Sequence, residues 1–376
     1  MKILLVGNYE PGGQKSMQRF AGLLDSGFRA AGHETRLIRP PVVAGSLPAR
    51  GLAAKWLGYI DQFIVFPRLL KRAVDWADVV HICDHSNAFY AKYVRRRPHI
   101  VTCHDMLAIR SALGEIVAHR TAWTGRRLQS MILQGLRAIG TTGHISCVSE
   151  ATRQDLLRIT EVPRKSVSRI YNALNFPFSP QDQPQARACI EKLGIRRDQR
   201  FILHVGGNSW YKNRLGTLKI FSALKSHPEA KDVILVMAGQ LFSANMRAYL
   251  RTAPGSESVV ELVDPANEEL KALYSAADVM LFPSLQEGFG WPIIEAQACG
   301  CPVVTSNRPP MTEVGGEAAV YIDPEKIEAA AATIAGTLQG RKSPCEKSLK
   351  NAERFSTSRM IESYLALQEI IVCSKN

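Results

Sequence analysis

The stretch Asp278–Asn307, DVMLFPSLQEGFGWPIIEAQACGCPVVTSN, decides how this chain folds. Its first part, Asp278–Ser284, is a short apolar run of the kind that forms a buried parallel strand. Glycines then interrupt regular structure, while Pro292 suits the first turn of a helix and Gly300 suits its end. A second apolar run starts at Pro302. The pattern predicts strand, loop, helix and strand, which is one repeat of an α/β fold.

Two carboxylates mark this repeat. Glu287 precedes the predicted helix, and Glu295 lies about one turn inside it. Because glycines and a proline separate them, one helix cannot carry both, and we expect Glu287 in the loop at the carboxyl end of the strand. Open α/β sheets bind ligands at that edge, and helix N-termini attract anions there. The alternative is a pair of solvated carboxylates that the helix dipole favours.

The spacing of these carboxylates resembles a family signature. Glu287 and Glu295 have seven residues between them, with GFG directly after the first, as in the E-x7-E motif of family 4 retaining glycosyltransferases of the GT-B fold. Residues 275–324 resemble the donor-binding domain of that family throughout. The resemblance implies an α/β protein of GT-B type, with two Rossmann-like, doubly wound parallel-sheet domains that face each other across a cleft.

Strand and helix patterns alternate through both halves of the chain, which independently favours two parallel, doubly wound sheets. The Pro- and Asn-rich segment Asn172–Gln185 is the best candidate for a linker. We therefore predict domains over 1–175 and 176–357. The resemblance implies that the first binds the acceptor, that the second binds a nucleotide sugar, and that a final helix over 358–373 packs back on the first domain.

A glycine-rich loop follows the first predicted strand, Lys2–Gly7. It contains Gly12 and Gly13 and leads into a helix, an arrangement that can bind phosphate. The residue order fits neither a Walker A loop nor a G-x-G-x-x-G dinucleotide motif. The resemblance implies that the backbone of Gly12 and Gly13 approaches the donor diphosphate. The alternative is a tight turn that needs glycine only for its backbone conformation.

Three further polar residues follow strand ends. His104 ends the strand His99–Asp105, and Lys212 and Arg214 come soon after the strand Phe201–Gly207. In the family, a His at the first position contacts the donor sugar, and a Lys matching Lys212 binds the diphosphate. The family often has an Arg close after the strand that corresponds to Phe201–Gly207. At that place this chain reads Gly-Gly-Asn at 206–208. Arg214 is therefore a candidate replacement.

Transfer from a nucleoside diphosphate builds negative charge on the leaving phosphate. A metal ion can stabilise that charge, and so can fixed cations such as Lys212. The sequence contains no D-x-D pair, so we expect neither a metal nor another cofactor. By resemblance, Glu295 binds the donor ribose and Glu287 the transferred sugar, with the amides of Phe289 and Gly290. We therefore predict a metal-independent, retaining hexosyltransferase that uses a nucleotide sugar.

The motif His81-Ile-Cys-Asp-His85 has residue types that bind metals. Strand alternation points His81 and Cys83 to one face and Asp84 to the other, so we predict an edge of the binding cleft and no metal site. Two helices are also predicted. One covers Lys55–Ala73 and is broken near Pro67, facing either the core or a membrane interface. The other is a basic helix over 115–138.

The net charge of +13 lies entirely in the first half, where residues 1–176 hold 25 Lys and Arg against 12 Asp and Glu. This asymmetry predicts an anionic partner. Candidates are an acidic polysaccharide and a lipid-linked or phosphorylated acceptor, with peripheral association at an anionic membrane. The basic residues that would carry it are Arg95–Arg97, Arg126, Arg127 and the Lys55–Arg72 stretch. The alternative is a basic surface that serves only solubility.

Apolar runs, the first ten residues and the cysteines indicate where the protein is located and which class of protein it is. No apolar run approaches the ~20 residues of a membrane span, the first ten residues do not resemble a secretory signal, and eight cysteines show no C-x-x-C spacing. We expect a cytoplasmic protein, with the inner face of the membrane as a candidate site. The predicted role is synthesis of cell-surface polysaccharide, lipopolysaccharide or glycolipid. A nucleotide-sugar 2-epimerase on the same fold is the alternative, and nucleic-acid motifs are missing.

Overall fold

The computed structural model of the protein describes residues 1–116, 122–339 and 344–374, with the backbone alone at 123 and 124. The chain forms two compact units. The first comprises Met1–Asn175 together with Thr357–Asn376, and the second comprises Phe176–Ser356. The chain therefore leaves the first unit after Asn175 and returns to it for its last helix.

The first unit contains a six-stranded parallel sheet in the order β2-β1-β3-β4-β5-β6. Its strands are β1 Lys2–Val6, β2 Glu34–Ile38, β3 Val79–Ile82, β4 His99–Cys103, β5 His144–Cys147 and β6 Val167–Arg169. Its described helices are α1 Lys15–Ala30, α2 Leu52–Ile60, α3 Phe66–Trp76, α4 Ala91–Val94, α5 Leu107–Ala112, α6 Trp123–Thr142 and α7 Glu150–Thr160. The strand order reverses between β1 and β3, so the loops that follow these two strands open a crevice.

The second unit repeats this plan with the parallel order β12-β11-β10-β7-β8-β9. Its strands are β7 Arg200–Gly206, β8 Val233–Gly239, β9 Val259–Val263, β10 Val279–Phe282, β11 Val303–Ser306 and β12 Ala319–Ile322. Its described helices are α8 Gln183–Lys192, α9 Arg214–Leu224, α10 Ala244–Leu250, α11 Asn267–Ala276, α12 Trp291–Ala298, α13 Met311–Gly315, α14 Ile327–Gln339 and α15 Glu346–Ala352. Here the order reverses between β7 and β10.

The predicted α/β class with two doubly wound parallel sheets is confirmed. Central strands such as β1, β3 and β10 are apolar and buried, as expected when helices cover both faces of a sheet. The segment Asp278–Asn307 forms β10, loop, α12 and β11 in that order. Its helix ends before Gly300, which has the left-handed φ of 71° that favours glycine.

Two helix predictions were wrong. The helix predicted to break near Pro67 instead continues through a π-helical turn at Asp61–Val65 into α3, and Pro67 follows just after that turn. The basic helix predicted from residue 115 begins as α6 at Trp123. Part of that prediction, residues 117–121, lies outside the described residues.

The last helix, α16 at Thr357–Cys373, belongs to the first unit and packs against α1 and β4. Its Tyr364 is fully buried. The Tyr364 hydroxyl lies 3.0 Å from Thr102 Oγ1, and Thr102 Oγ1 lies 2.8 Å from His81 Nε2. Burial lowers the pKa of His81 to about 3, so its ring stays neutral. Tyr364 thus joins a helix from the end of the chain to strands from its beginning.

Within the described ranges, no helix has both the length and the apolar character to cross a membrane.

We expect Tyr364→Phe to lower the unfolding free energy of the first unit by about 1–2 kcal/mol, because the change removes the buried hydroxyl that bonds to Thr102 and Ser146 and preserves the packing of the ring. Urea unfolding measures this loss. The matched control is Ile370→Ala on the same helix, where the side chain is exposed and the expected change is under about 0.5 kcal/mol. An equal loss in both variants would contradict the role of the hydroxyl.

Candidate active site

The site of the second unit lies where its strand order reverses. β7 and β10 are neighbours in the sheet, and the loops 207–213 and 283–290 leave their carboxyl ends side by side. The amide of Leu285 donates to the carbonyl oxygen of Tyr211 at 2.7 Å, and Asn213 Nδ2 donates to the carbonyl oxygen of Pro283 at 3.0 Å. The two loops are therefore tied together, and their side chains share one edge.

Lys212 and Glu287 form an ion pair at this edge. Lys212 Nζ lies 2.8 Å from Glu287 Oε1 and donates to Oε2 at 3.0 Å. The side chains are 19% and 7% exposed, respectively, and the ammonium also lies 5.1 Å from the centre of the Phe282 ring. The structure thus brings together the two residues that the sequence assigned to the diphosphate and the transferred sugar. A cation and a carboxylate shielded from water interact more strongly than a solvated pair.

Glu295 lies on α12, behind the loop that carries Glu287. The helix begins after Gly290, whose φ of 102° favours glycine, and Pro292 occupies its first turn. Glu295 is 8% exposed, and its Oε2 accepts a hydrogen bond from the Tyr274 hydroxyl at 2.9 Å. Burial, followed by the nearby Glu295 charge, raises the pKa of Tyr274 well above its usual value. Tyr274 therefore remains a hydroxyl donor that fixes the orientation of the carboxylate.

Phe289 anchors the loop that precedes α12. Its ring is buried and lies 5.8 Å from the Trp291 ring and 5.6 Å from the Phe355 ring, both in edge-on geometry. Edge-on aromatic pairs of this kind are favourable contacts that fix the position of the ring. The backbone of Phe289 and Gly290 is thereby held beside the N-terminus of α12.

Arg214 is buried at the start of α9, 4% exposed. Its Nη1 donates to Asn208 Oδ1 and to the carbonyl oxygen of Gln240, each at 2.6 Å. Asn208 Nδ2 in turn donates to the carbonyl oxygen of Leu241. Burial lowers the pKa of Arg214 from its ordinary value, although Glu261 opposes this. The guanidinium therefore braces the loop after β7 against the loop after β8.

The glycine loop and His104 belong to the first unit. Gly12 ends a short 3-10 turn that starts at Glu10, and Gly13 follows it with a left-handed φ of 68°. Open space lies beside the Cα atoms of both glycines. His104 is buried, and its Nε2 donates to the carbonyl oxygen of Cys83 at 2.9 Å. Burial lowers the pKa of His104, which keeps the ring neutral with the proton on Nε2.

Beside His104 lies a buried polar cluster that includes Asp84 and His85 of the HICDH motif, which the sequence analysis placed at an edge of the cleft without assigning these two residues a role. Asp84 accepts hydrogen bonds from the amide and hydroxyl of Ser86 and from Asn8 Nδ2, and its Oδ1 lies 3.1 Å from His85 Nδ1. Burial opposes the charge on Asp84, but the hydrogen bond and charge of His85, together with His104 and the Ser86 amide, outweigh it and lower the pKa of Asp84. Burial likewise opposes the charge on His85, and Asp84 overcomes it and raises its pKa. The HICDH motif was the signal for this pair.

In the parts of the chain that the structure describes, no three His, Cys, Asp or Glu side chains lie close enough together to hold a metal ion.

Comparison with solved structures identifies the fold. The chain aligns over its full length with sucrose-phosphate synthase from Thermosynechococcus elongatus, at a TM-score of 0.76 and 18% identity, and covers all of that chain. It also aligns over 97% of its length with Anabaena HepE in complex with UDP-glucose, covering 98% of that chain at a TM-score of 0.71 and 17% identity. The fold is that of the GT-B glycosyltransferases.

Two family models cover most of the chain. Residues 17–176 match the model described as Glycosyltransferase Family 4, and residues 186–355 match Glycosyl transferases group 1. The chain belongs to glycosyltransferase family 4. A relative from Escherichia coli, O-antigen chain mannosyltransferase B, is 27% identical over 231 residues, which are 59% of this chain and 60% of the relative. The chain spans less than two thirds of the length of the first curated relatives it matches.

We expect Lys212→Met to destabilise the second unit by about 1–3 kcal/mol, because it leaves the carboxylate of Glu287 shielded from water without a partner. The double variant Lys212→Met, Glu287→Gln should recover most of this loss, since no uncompensated charge remains. Denaturant unfolding measures both. The control is Lys219→Met on the exposed face of α9, where little change is expected. Additive effects of the two substitutions would show that the pair is not coupled.

Proposed function

We propose that the protein is a metal-independent, retaining glycosyltransferase that moves a hexose from a nucleoside diphosphate sugar to a hydroxyl of an acceptor. We propose that this reaction is a step in the synthesis of a cell-surface polysaccharide, lipopolysaccharide or glycolipid. The observation that carries the proposal is the Lys212–Glu287 ion pair at the point where the strand order of the second unit reverses. Ligands of open α/β sheets bind at such points.

In the proposed reaction, the donor diphosphate takes over the hydrogen bonds of Lys212. The ammonium then stabilises the negative charge that grows on the leaving phosphate, as a fixed cation that is in place before the reaction starts. Arg214 contributes by bracing the loop that carries Lys212. We further propose that the glycine loop at Gly12 and Gly13 offers backbone N–H groups to phosphate.

Release from Lys212 frees Glu287 for the transferred sugar. We propose that its carboxylate and the amides of Phe289 and Gly290 bind the sugar hydroxyls, and that its charge stabilises the positive anomeric carbon. The leaving phosphate takes the proton from the acceptor hydroxyl on the same face, which preserves the anomeric configuration. His104, neutral and with the proton on Nε2, contacts the donor sugar. Glu295, oriented by Tyr274, binds the ribose hydroxyls.

The relatives support a sugar donor of this kind. HepE was solved with UDP-glucose, and the Escherichia coli relative is named as an O-antigen mannosyltransferase. These names favour transfer of a hexose to a carbohydrate acceptor over the epimerase alternative. We propose that the second unit binds the donor, that the first unit binds the acceptor, and that the protein works in the cytoplasm at the inner face of the membrane.

The two glutamates should fail in different ways. Glu295→Gln should weaken binding of the free nucleoside diphosphate and of the whole donor about equally, because the ribose is common to both. Glu287→Gln should lower turnover about 100-fold or more, as loss of one preorganised charge does, and should not weaken the affinity for the nucleoside diphosphate, because the carboxylate competes with phosphate for Lys212. Calorimetry and initial rates measure these effects.

Tyr274→Phe serves as the positional control, since it leaves the Glu295 carboxylate in place and removes only the hydroxyl that orients it. It should weaken nucleotide binding less than Glu295→Gln does. Equal loss of nucleotide affinity in both glutamate variants would contradict the assigned roles. EDTA should leave wild-type turnover unchanged in the same assay, and loss of turnover with recovery on adding a divalent ion would contradict metal independence.

A separate proposal concerns the basic first half. Arg126 and Arg127 are exposed on α6, and we propose that they, with Arg95–Arg97 and the Lys55–Arg72 stretch, attract an anionic membrane or acceptor. Each such residue near an anionic bilayer contributes roughly 1 kcal/mol. High salt should weaken the attraction, because the Debye length falls from ~10 Å at 0.1 M to ~3 Å at 1 M.

We expect the protein to sediment with anionic vesicles and not with neutral ones, and to be released at high salt. The double variant Arg126→Gln, Arg127→Gln should sediment less. Its control is Arg196→Gln, Arg197→Gln, an adjacent pair of exposed arginines in the second unit. Recovery in the supernatant with both kinds of vesicle, or an equal effect of the two double variants, would refute association through the first unit.

A further inference from the structure

Two adjoining cavities open on the first unit, and the first is polar. It has a volume of about 210 Å³ and lies where the strand order reverses, between the loops that follow β1 and β3. The side chains that line it include five amides and a hydroxyl, namely Asn8, Gln14, Gln62, Asn87, Gln129 and Ser86. Among the described residues around this cavity, none is Lys, Arg, Asp or Glu. Neutral groups that both donate and accept hydrogen bonds suit the hydroxyls of an uncharged sugar.

The second cavity is an apolar groove of about 220 Å³. Its walls include Leu52, Trp56 and Met131, which are 77%, 61% and 43% exposed. The described charged residues that line it are cations, Lys55 and Arg127. A groove with exposed apolar walls and cations alone is complementary to an apolar chain that carries an anionic group.

The two cavities share a wall. Tyr59, Phe63 and Leu128 line both of them. Each cavity alone is smaller than the ~300 Å³ at the lower end of ordinary ligand pockets. We therefore treat them as two halves of a single site.

A continuous row of aromatic rings runs from the groove to the polar cavity. Ring centres are 5.6 Å apart for Trp56 and Tyr59, 5.7 Å for Tyr59 and Phe63, and 4.8 Å for Phe63 and Phe89. The spacing of three and then four residues places the first three rings on one face of α2 and the π-helical turn after it. Aromatic rings pack well against both alkyl chains and the apolar faces of sugars.

Buried hydrogen bonds hold this wall in place. The carboxylate of Asp61, fully buried in the π-helical turn, accepts from the Tyr9 hydroxyl at 2.9 Å and from the amides of Val43, Ala44 and Gly45. Burial opposes its charge, but these donors outweigh that effect and lower the pKa of Asp61. Tyr9 itself lines the polar cavity. The ionised carboxylate thus fixes the start of the glycine loop against the aromatic row.

We infer that the two cavities form the binding site for an amphiphilic acceptor. Its sugar, which offers the reacting hydroxyl, occupies the polar cavity; its alkyl chain lies along the groove; and Lys55 and Arg127 bind a phosphate or diphosphate that links the two. This inference rests on the proposed function and specifies the acceptor. The sugar end lies next to Gly12, which lines the same cavity and belongs to the loop proposed to approach the donor diphosphate.

Calorimetry with defined probes tests the site. The probes are undecyl diphosphate glycosides of mannose, glucose, galactose and N-acetylglucosamine below their micelle concentrations. Each is compared with its methyl diphosphate glycoside, which lacks the long chain, and with its neutral undecyl glycoside, which lacks the diphosphate. We expect at least one undecyl diphosphate glycoside to bind wild-type protein tenfold or more tightly than its methyl counterpart. The double variant Leu52→Ser, Trp56→Ala should remove this advantage, because it removes apolar surface from the groove.

Two matched controls separate the halves of the site. Ile370→Ser changes an exposed apolar residue on α16 and should leave the advantage of the alkyl chain intact. Gln129→Leu, which alters the polar cavity, should weaken every probe that binds about tenfold, whereas Gln134→Leu on the exposed side of the same helix should not. Lys55→Ala should weaken the undecyl diphosphate glycoside tenfold and leave the neutral undecyl glycoside unchanged.

The inference is overturned if methyl and undecyl diphosphate glycosides bind equally, if none binds, or if the groove variant and Ile370→Ser behave alike. Binding of nucleoside diphosphates, titrated into the same samples, and donor-dependent transfer report separately on the proposed function. Wild-type protein that transfers sugar equally well to lipid-free and lipid-linked acceptors would refute the amphiphilic site while leaving the glycosyltransferase reaction in place.

Discussion

Parallel pairing of buried strands is the constraint on which both candidate sites depend. In a parallel sheet, every strand ends at the same edge, so residues far apart in sequence reach one place without any specific attraction between them. Lys212 and Glu287 are 75 residues apart and meet because β7 and β10 are neighbours. Asn8 and Asp84, 76 residues apart, meet in the first unit because β1 and β3 are neighbours. In each unit the strand order reverses between these two neighbouring strands, and the loops that follow them leave room for a ligand.

The charges at these edges are paired before any ligand arrives. A pair shielded from water is a poor source of stability, because removing two charges from water costs nearly as much as their attraction returns. What such an ion pair provides is a cation that is held in position and whose charge is balanced by the carboxylate. For Lys212 and Glu287, the incoming phosphate must replace the carboxylate, which couples donor binding to release of the group proposed to bind the sugar. The Asp84–His85 pair similarly holds its two side chains in position beside His104.

Apolar periodicity predicted the strands and the repeat from β10 to β11 because those features depend on residues close in sequence. The same patterns placed Lys212, Glu287 and His104 at strand ends. The π-helical turn at Asp61–Val65 escaped prediction, since a single extra residue in a helix leaves no periodic trace. The burial of Arg214 depends on Asn208 and on backbone oxygens of another loop. The aromatic row joins α2 to Phe89. The sequence shows only that the segment around α2 mixes aromatic and basic residues, and it does not reveal this contact with a distant residue.

The return of α16 to the first unit has a consequence for synthesis on the ribosome. Tyr364 supplies a buried hydroxyl to strands that are made more than 200 residues earlier, as its separation of 262 residues from Thr102 shows. A nascent chain therefore exposes all of the second unit, from Phe176 to Ser356, before the first can be completed. The first unit can bury Tyr364 only after the second unit has been made. Its completion therefore departs from the order from the N-terminus that is usual for multidomain chains.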